Sequence, residues 1–156
     1  MFGSEESPEL DESITHRRSI FYVKGEYWIL CDLLQGQDKD RHAFEQLFHP
    51  APIYDPNAEV PMLAGTIAVD GRVIRTTDEG LGNLAVIPVD QESVSITAKK
   101  GETIPAAGWY GVLGEFPAWE VSCASQGPFP HRMDAVMFPT APGVMDVPKV
   151  ERLYSD

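Results

Sequence analysis

The chain has 156 residues, one domain's worth and enough to bury a real core. Its 43% hydrophobic and 10% aromatic content excludes a disordered chain. Twelve basic residues against twenty-four acidic ones give a net charge of −12, which opposes bulk attraction to nucleic acid, to anionic membranes and to highly sulfated glycans.

Residues 1–12 read as a loose acidic head, without the apolar core of a signal peptide. No later run approaches the length of a membrane span. From there the punctuation is that of an all-β protein: thirteen Gly and thirteen Pro break the chain into short runs, and no helical period persists. The first two strands are expected at 14–23 and 27–34, a hairpin turning at Lys24-Gly25-Glu26. In the first of these Ile20 and Tyr22 oppose Phe21 and Val23, so both faces are apolar and the strand reads as covered on both sides. A third strand at 43–49 ends before Pro50, Pro52 and Pro56, which forbid continuous pairing and mark a loop. The clearest hairpin is 66–75, where Asp70-Gly71 suits a type I′ turn. Further strands are expected at 84–89, 94–98, 119–124 and 132–138. Nine or ten short strands at this spacing predict an antiparallel β-sandwich over 13–141, followed by an irregular tail over 142–156.

Two ordered blocks carry a family resemblance. The first is the stretch from His16 through Asp32, followed after a polar loop by His42-Ala43-Phe44-Glu45-Gln46-Leu47-Phe48-His49-Pro50. The second runs Gly101-Glu102-Thr103-Ile104-Pro105-Ala106-Ala107-Gly108-Trp109-Tyr110-Gly111, then Phe116-Pro117-Ala118-Trp119. Together they resemble the C-terminal β-sheet domain of the heparinase II/III-like polysaccharide lyases, and Val136-Met137-Phe138-Pro139 resembles that domain's closing strand. The resemblance implies a part of a uronate-polysaccharide lyase whose catalytic residues and structural zinc ligands belong to an α/α toroid and an early β segment. This sequence matches neither, so no catalytic residue is carried over. Family members are often periplasmic or secreted, and the residues themselves leave the compartment open.

Residue chemistry points the same way. A lyase needs a base, a carboxylate neutraliser and an acid for the leaving oxygen. His16 with Arg17 and Tyr22, Tyr27 or Tyr110 is the best such set, and nothing in the sequence forces them together. No metal or other cofactor is expected: His16, Asp32, His42 and His49 have ligand chemistry but no compact spacing. The histidines read as strand-edge groups and Asp32 as an acceptor of turn N–H bonds. Cys31 and Cys123 fit no metal or redox motif and read as buried free thiols. The basic pairs Arg17-Arg18, Arg72 with Arg75, Lys99-Lys100 and His131-Arg132 read as solvated strand ends.

Carbohydrate binding has better candidates. Trp109, Tyr110 and Trp119 lie where loops enter strands, and exposed aromatic rings stack on sugar faces. Asn83, Asp55 and Asn57 sit in loops where they would hydrogen-bond hydroxyls. Trp28, within an apolar run, reads as core. The expected function is a non-catalytic module that binds or positions a polysaccharide. The alternative is a scaffold fragment whose lyase active site lies in a missing N-terminal portion. Expected partners are a polysaccharide and either a second copy of the chain or that missing portion.

Overall fold

The computed structural model describes residues 13–54, 57, 62–63, 65–90, 93–111 and 116–153. The acidic head at 1–12 and the candidate ligand residue Asp55 lie outside the described residues. Apart from a 3₁₀ residue at Ser93, strands account for the regular structure among them, and every pairing is antiparallel. Nine strands have four or more residues: β1 (Thr15–Val23), β2 (Tyr27–Gln35), β3 (His42–Phe48), β6 (Ile67–Asp70), β7 (Val73–Thr76), β8 (Asn83–Pro88), β9 (Ser95–Lys100), β14 (Trp119–Gly127) and β15 (His131–Thr140). Six two-residue strands complete the set: β4 (Ile53–Tyr54), β5 (Met62–Leu63), β10 (Glu102–Thr103), β11 (Ala106–Ala107), β12 (Trp109–Tyr110) and β13 (Phe116–Pro117). The long strands follow the sequence expectation closely. The two-residue ones carry no readable alternation and were not foreseen.

A six-stranded sheet ordered β1-β2-β15-β8-β7-β6 faces a three-stranded sheet ordered β3-β14-β9. Alternation along each strand sends one set of side chains into the space between them. Phe44, Ile74, Val86, Val121, Cys123, Met133 and Ala135 fill that space, with Phe129 and Val94 closing it. Val121 of β14 is 0% exposed.

The other face of the large sheet is also apolar, and the C-terminal segment covers it. Val147 and Val150 pack on Ala85, Ile87 and Val136, in a stretch with no regular secondary structure. Arg152 pins this segment by ion pairs to Asp90 (2.7 Å) and Asp134 (2.9 Å). Arg75 of β7 donates to the Met145 carbonyl oxygen. The tail is thus irregular as a chain yet ordered by what it covers.

Three expectations are corrected. Strand β1 is not covered on both sides: it is the edge of the sheet, and Ile20, Phe21 and Tyr22 are 62%, 62% and 50% exposed. Trp28 is therefore not core but half-buried, stacked on Tyr22 with ring centroids 5.0 Å apart. The β6–β7 hairpin turns at Gly71-Arg72 rather than Asp70-Gly71, because Asp70 pairs with Val73. Gly71 has φ +60° and among the described residues none other than glycine has positive φ, which matches a type II′ turn with Gly first and excludes type I′.

Candidate functional site

The two tryptophans singled out in sequence converge at one end of the sandwich. Strand β9 ends at Lys100, directly opposite Trp119, the first residue of β14. Between those strands the chain makes two small ribbons, β10–β11 and β12–β13, with Trp109 opposite Pro117 and Tyr110 opposite Phe116. Gly108 ties these pieces together. Its carbonyl accepts N–H bonds from Gly101 (2.8 Å) and Ala118 (2.9 Å). Its φ is +71°, and a Cβ there would lie 2.7 Å from the Lys99 oxygen and the Lys100 Cα. Only glycine fits that backbone crossing.

The rings are held by their edges. Trp109 donates its indole N–H to the Glu102 carbonyl at 2.7 Å, and Trp119 donates to the Gly65 carbonyl at 3.2 Å. With each polar edge satisfied, the π-faces set what the rings do next. The Lys100 ammonium stands 5.4 Å from the Trp119 ring centroid, a cation–π arrangement. Both tryptophans are half-buried, and Tyr110 is exposed. Two anchored rings and one exposed ring thus sit on neighbouring segments at this end of the sandwich.

Asn83 belongs to the neighbouring turn, but its amide is committed. The oxygen accepts from the Thr76 hydroxyl (2.9 Å) and the Asp78 N–H (2.8 Å), while the nitrogen donates to the Asp78 and Leu81 carbonyls (both 3.1 Å). All four hydrogen-bonding positions are used within the turn. Asp78 in turn accepts from the Thr66 N–H at 2.7 Å, next to the carbonyl that holds Trp119. Asn83 thus supports the Trp119 ring from behind.

The residues considered for metal do not gather. Among the described residues no three His, Cys, Asp or Glu side chains are placed to hold an ion. His42 pairs with Asp38 at 2.7 Å and leans on Phe129, at the other end of the molecule. His16 does meet Asp32, at 3.1 Å, but that carboxylate is otherwise engaged.

Asp32 is the group whose setting the sequence hid. It is 3% exposed and faces the sheet interior, so it cannot accept turn N–H bonds as expected. Arg18, its cross-strand partner in β1, makes a two-pronged contact with both N···O distances 2.7 Å. Gln46, across the sandwich on β3, adds an amide bond at 2.8 Å and reaches the Met133 carbonyl at 3.3 Å. Burial alone pushes the Asp32 carboxyl upward. The hydrogen bonds from Arg18, Gln46 and His16 outweigh it and hold the group below its ordinary range. His16 therefore shares a buried carboxylate with Arg18. This is a structural cross-link between the two sheets. An Arg two residues from a His on one strand, facing an Asp in the next, is a signal alternation could have supplied, but Gln46 required the tertiary structure.

Both thiols are free, as read from the sequence, but only Cys123 is buried and Cys31 is half-buried. Burial pushes Cys123 up to about 11 and raises Cys31 as well, so neither is an activated nucleophile.

The described residues thus form an all-antiparallel sandwich with a backbone crossing at Gly108. A family model described as "Heparinase II/III-like, C-terminal" matches residues 4–122. The chain belongs to that family. Both sequence blocks fall inside the matched range, whereas β15 and the tail follow it. A solved heparinase III structure is similar, with TM-score 0.57 and 19% identity, covering 87% of this chain. This chain spans only 19% of that one, and at such identity the likeness shows the fold. No curated protein matches.

Proposed function

We propose that this polysaccharide-lyase-related domain is a non-catalytic module that binds or positions a polysaccharide of the uronate-containing class. The observation that carries the reading is the aromatic rim: Trp109 and Trp119 fixed by their indole N–H groups, with Tyr110 exposed beside them. Rings immobilised before the ligand arrives lose little freedom on binding, and their faces suit the apolar side of a pyranose. Asp55 and Asn57 are the loop residues proposed to bond sugar hydroxyls. Affinity gel electrophoresis through neutral and acidic polysaccharides tests the reading. Retardation by one class, lost in Trp109→Ala and retained in Trp109→Phe, is the expected result. Unchanged mobility through the whole panel would sink it.

One observation favours a second reading, a scaffold that docks on the rest of a lyase or on its own copy. Among the described residues no strand pairs with the outer edge of β1, which exposes Ile20, Phe21 and Tyr22 together, and such an edge with apolar side chains on both faces invites another strand. On this reading light scattering of the isolated chain gives a mass above that of the monomer. A monodisperse monomer at high concentration removes self-association.

A further inference from the structure

At the end of the sandwich away from Trp109 lies an open cleft of about 810 Å³, within the range that accommodates small ligands. Its floor is the outer face of the three-stranded sheet. Alternation puts Phe44, Gln46 and Cys123 inside, and so turns Ala43, Glu45 and Ala124 outward. Across the sheet Glu45, Ala124 and Ser95 stand in register, and Ala43 stands opposite Gln126. The alanines and the serine keep this floor low. Two cations border it. Arg41 leads into β3 and donates to the Gln126 carbonyl at 3.3 Å, using one corner of its fork. Arg72 sits in the β6–β7 turn, a position it gains because the hairpin turns at Gly71-Arg72. It is half-buried, and among the described residues it has no ion-pair or hydrogen-bond partner. By contrast, Arg75 is engaged on the tail and Arg152 on two carboxylates.

In a chain of net charge −12, two guanidinium groups on one cleft are out of keeping with the bulk surface. A guanidinium fork matches the paired oxygens of a carboxylate or sulfate. The Glu45 carboxylate beside them repels a simple anion but accepts hydroxyl hydrogens, as does the Ser95 hydroxyl. The combination suits a polyhydroxylated ligand that bears an acid group at one point. We propose that this cleft is a second glycan-contacting site, with Arg41 and Arg72 receiving the acid group of an anionic saccharide and Glu45 its hydroxyls. The inference rests on the polysaccharide-binding reading and adds a charge-selective contact remote from the aromatic rim.

The test uses affinity electrophoresis of the full chain in gels containing polygalacturonate, heparin, or carboxyl-reduced polygalacturonate. Wild type is expected to be retarded by an acidic polymer: polygalacturonate if carboxylate is the acid group, heparin if sulfate is. Arg41→Gln/Arg72→Gln is expected to weaken that retention at least tenfold, leaving retention by the reduced polymer unchanged. Arg72→Lys, which keeps charge but loses the fork, is expected to fall between. Urea midpoints equal to wild type establish that each variant is folded, and Arg72→Gln alone serves if the double variant is not. Acidic-polymer retention indifferent to the arginines, yet lost in Trp109→Ala, overturns the cleft and leaves the aromatic reading standing. Retention by no polymer overturns both.

Discussion

Strands β8 and β1 of the same sheet each carry a run of consecutive apolar residues, and the two runs meet opposite fates. In β8, Ala85, Val86, Ile87 and Pro88 are all buried, because the small sheet covers one face and the C-terminal tail the other. In β1, Ile20, Phe21 and Tyr22 are at least half exposed, because it is the edge strand of the described sheet. Composition sets how much surface a strand can bury. Position in the sheet decides whether it does, and so separates the residues that hold the domain together from those free to meet a partner.

The same substitution in the two strands sharpens this contrast most. Ile87→Ala, at 1% exposure, should cost about 2–5 kcal/mol in urea denaturation through lost transfer energy and the cavity left behind. Ile20→Ala should stay within about 0.5 kcal/mol of wild type. Equal losses would mean that β1 is buried in solution, by self-association or otherwise.

The Asp32 cross-link joins the two regions, since Arg18 and His16 lie on the exposed strand and Gln46 in the core sheet. Gln46→Ala removes a donor from a buried carboxylate and should destabilise by about 1–3 kcal/mol. The linkage also has a sign. Asp32 is held below its ordinary 3.8, so its stabilisation is complete above that pH and is lost as pH falls through the lower folded value. Burial likewise lowers His131 from 6.5, while Asp90 opposes the shift. Its contribution is intact above pH 6.5 and declines below it. Protonation there also spoils any bond its Nε2 accepts from the Ser125 hydroxyl, 2.7 Å away. Thermal midpoints should therefore fall in two stages on acidification, and Asp32→Asn should flatten the lower one. A flat profile between pH 7 and 3 would contradict both assignments.

A smaller effect is expected from the tail. Arg152→Ala should cost about 1 kcal/mol, because its partners are only partly buried and such pairs are screened. Hydrogen exchange should then rise along β8 and the outer face of β15 but not along β3. Protection unchanged on β8 would mean that Val147 and Val150 hold the tail without it.

Much of this molecule was legible beforehand. Long strands announced themselves through alternation, hairpins through glycine, and the family through two blocks separated by a fixed order, because those signals are local or collinear. The aromatic candidates Trp109 and Trp119 were readable as loop-to-strand rings, but not their convergence. That depends on Gly108 crossing between Lys100 and Ala118, a contact between segments that carry no mutual pattern. The sequence by itself determined the β class, the strand positions and the family. Only the tertiary structure decided which apolar strand is core and which is edge, that Gln46 reaches Asp32, and that Arg72 rather than Gly71 ends a turn beside a cleft. Those choices depend on strand order and sheet packing, and residues distant along the chain acquire them only when the sheets close.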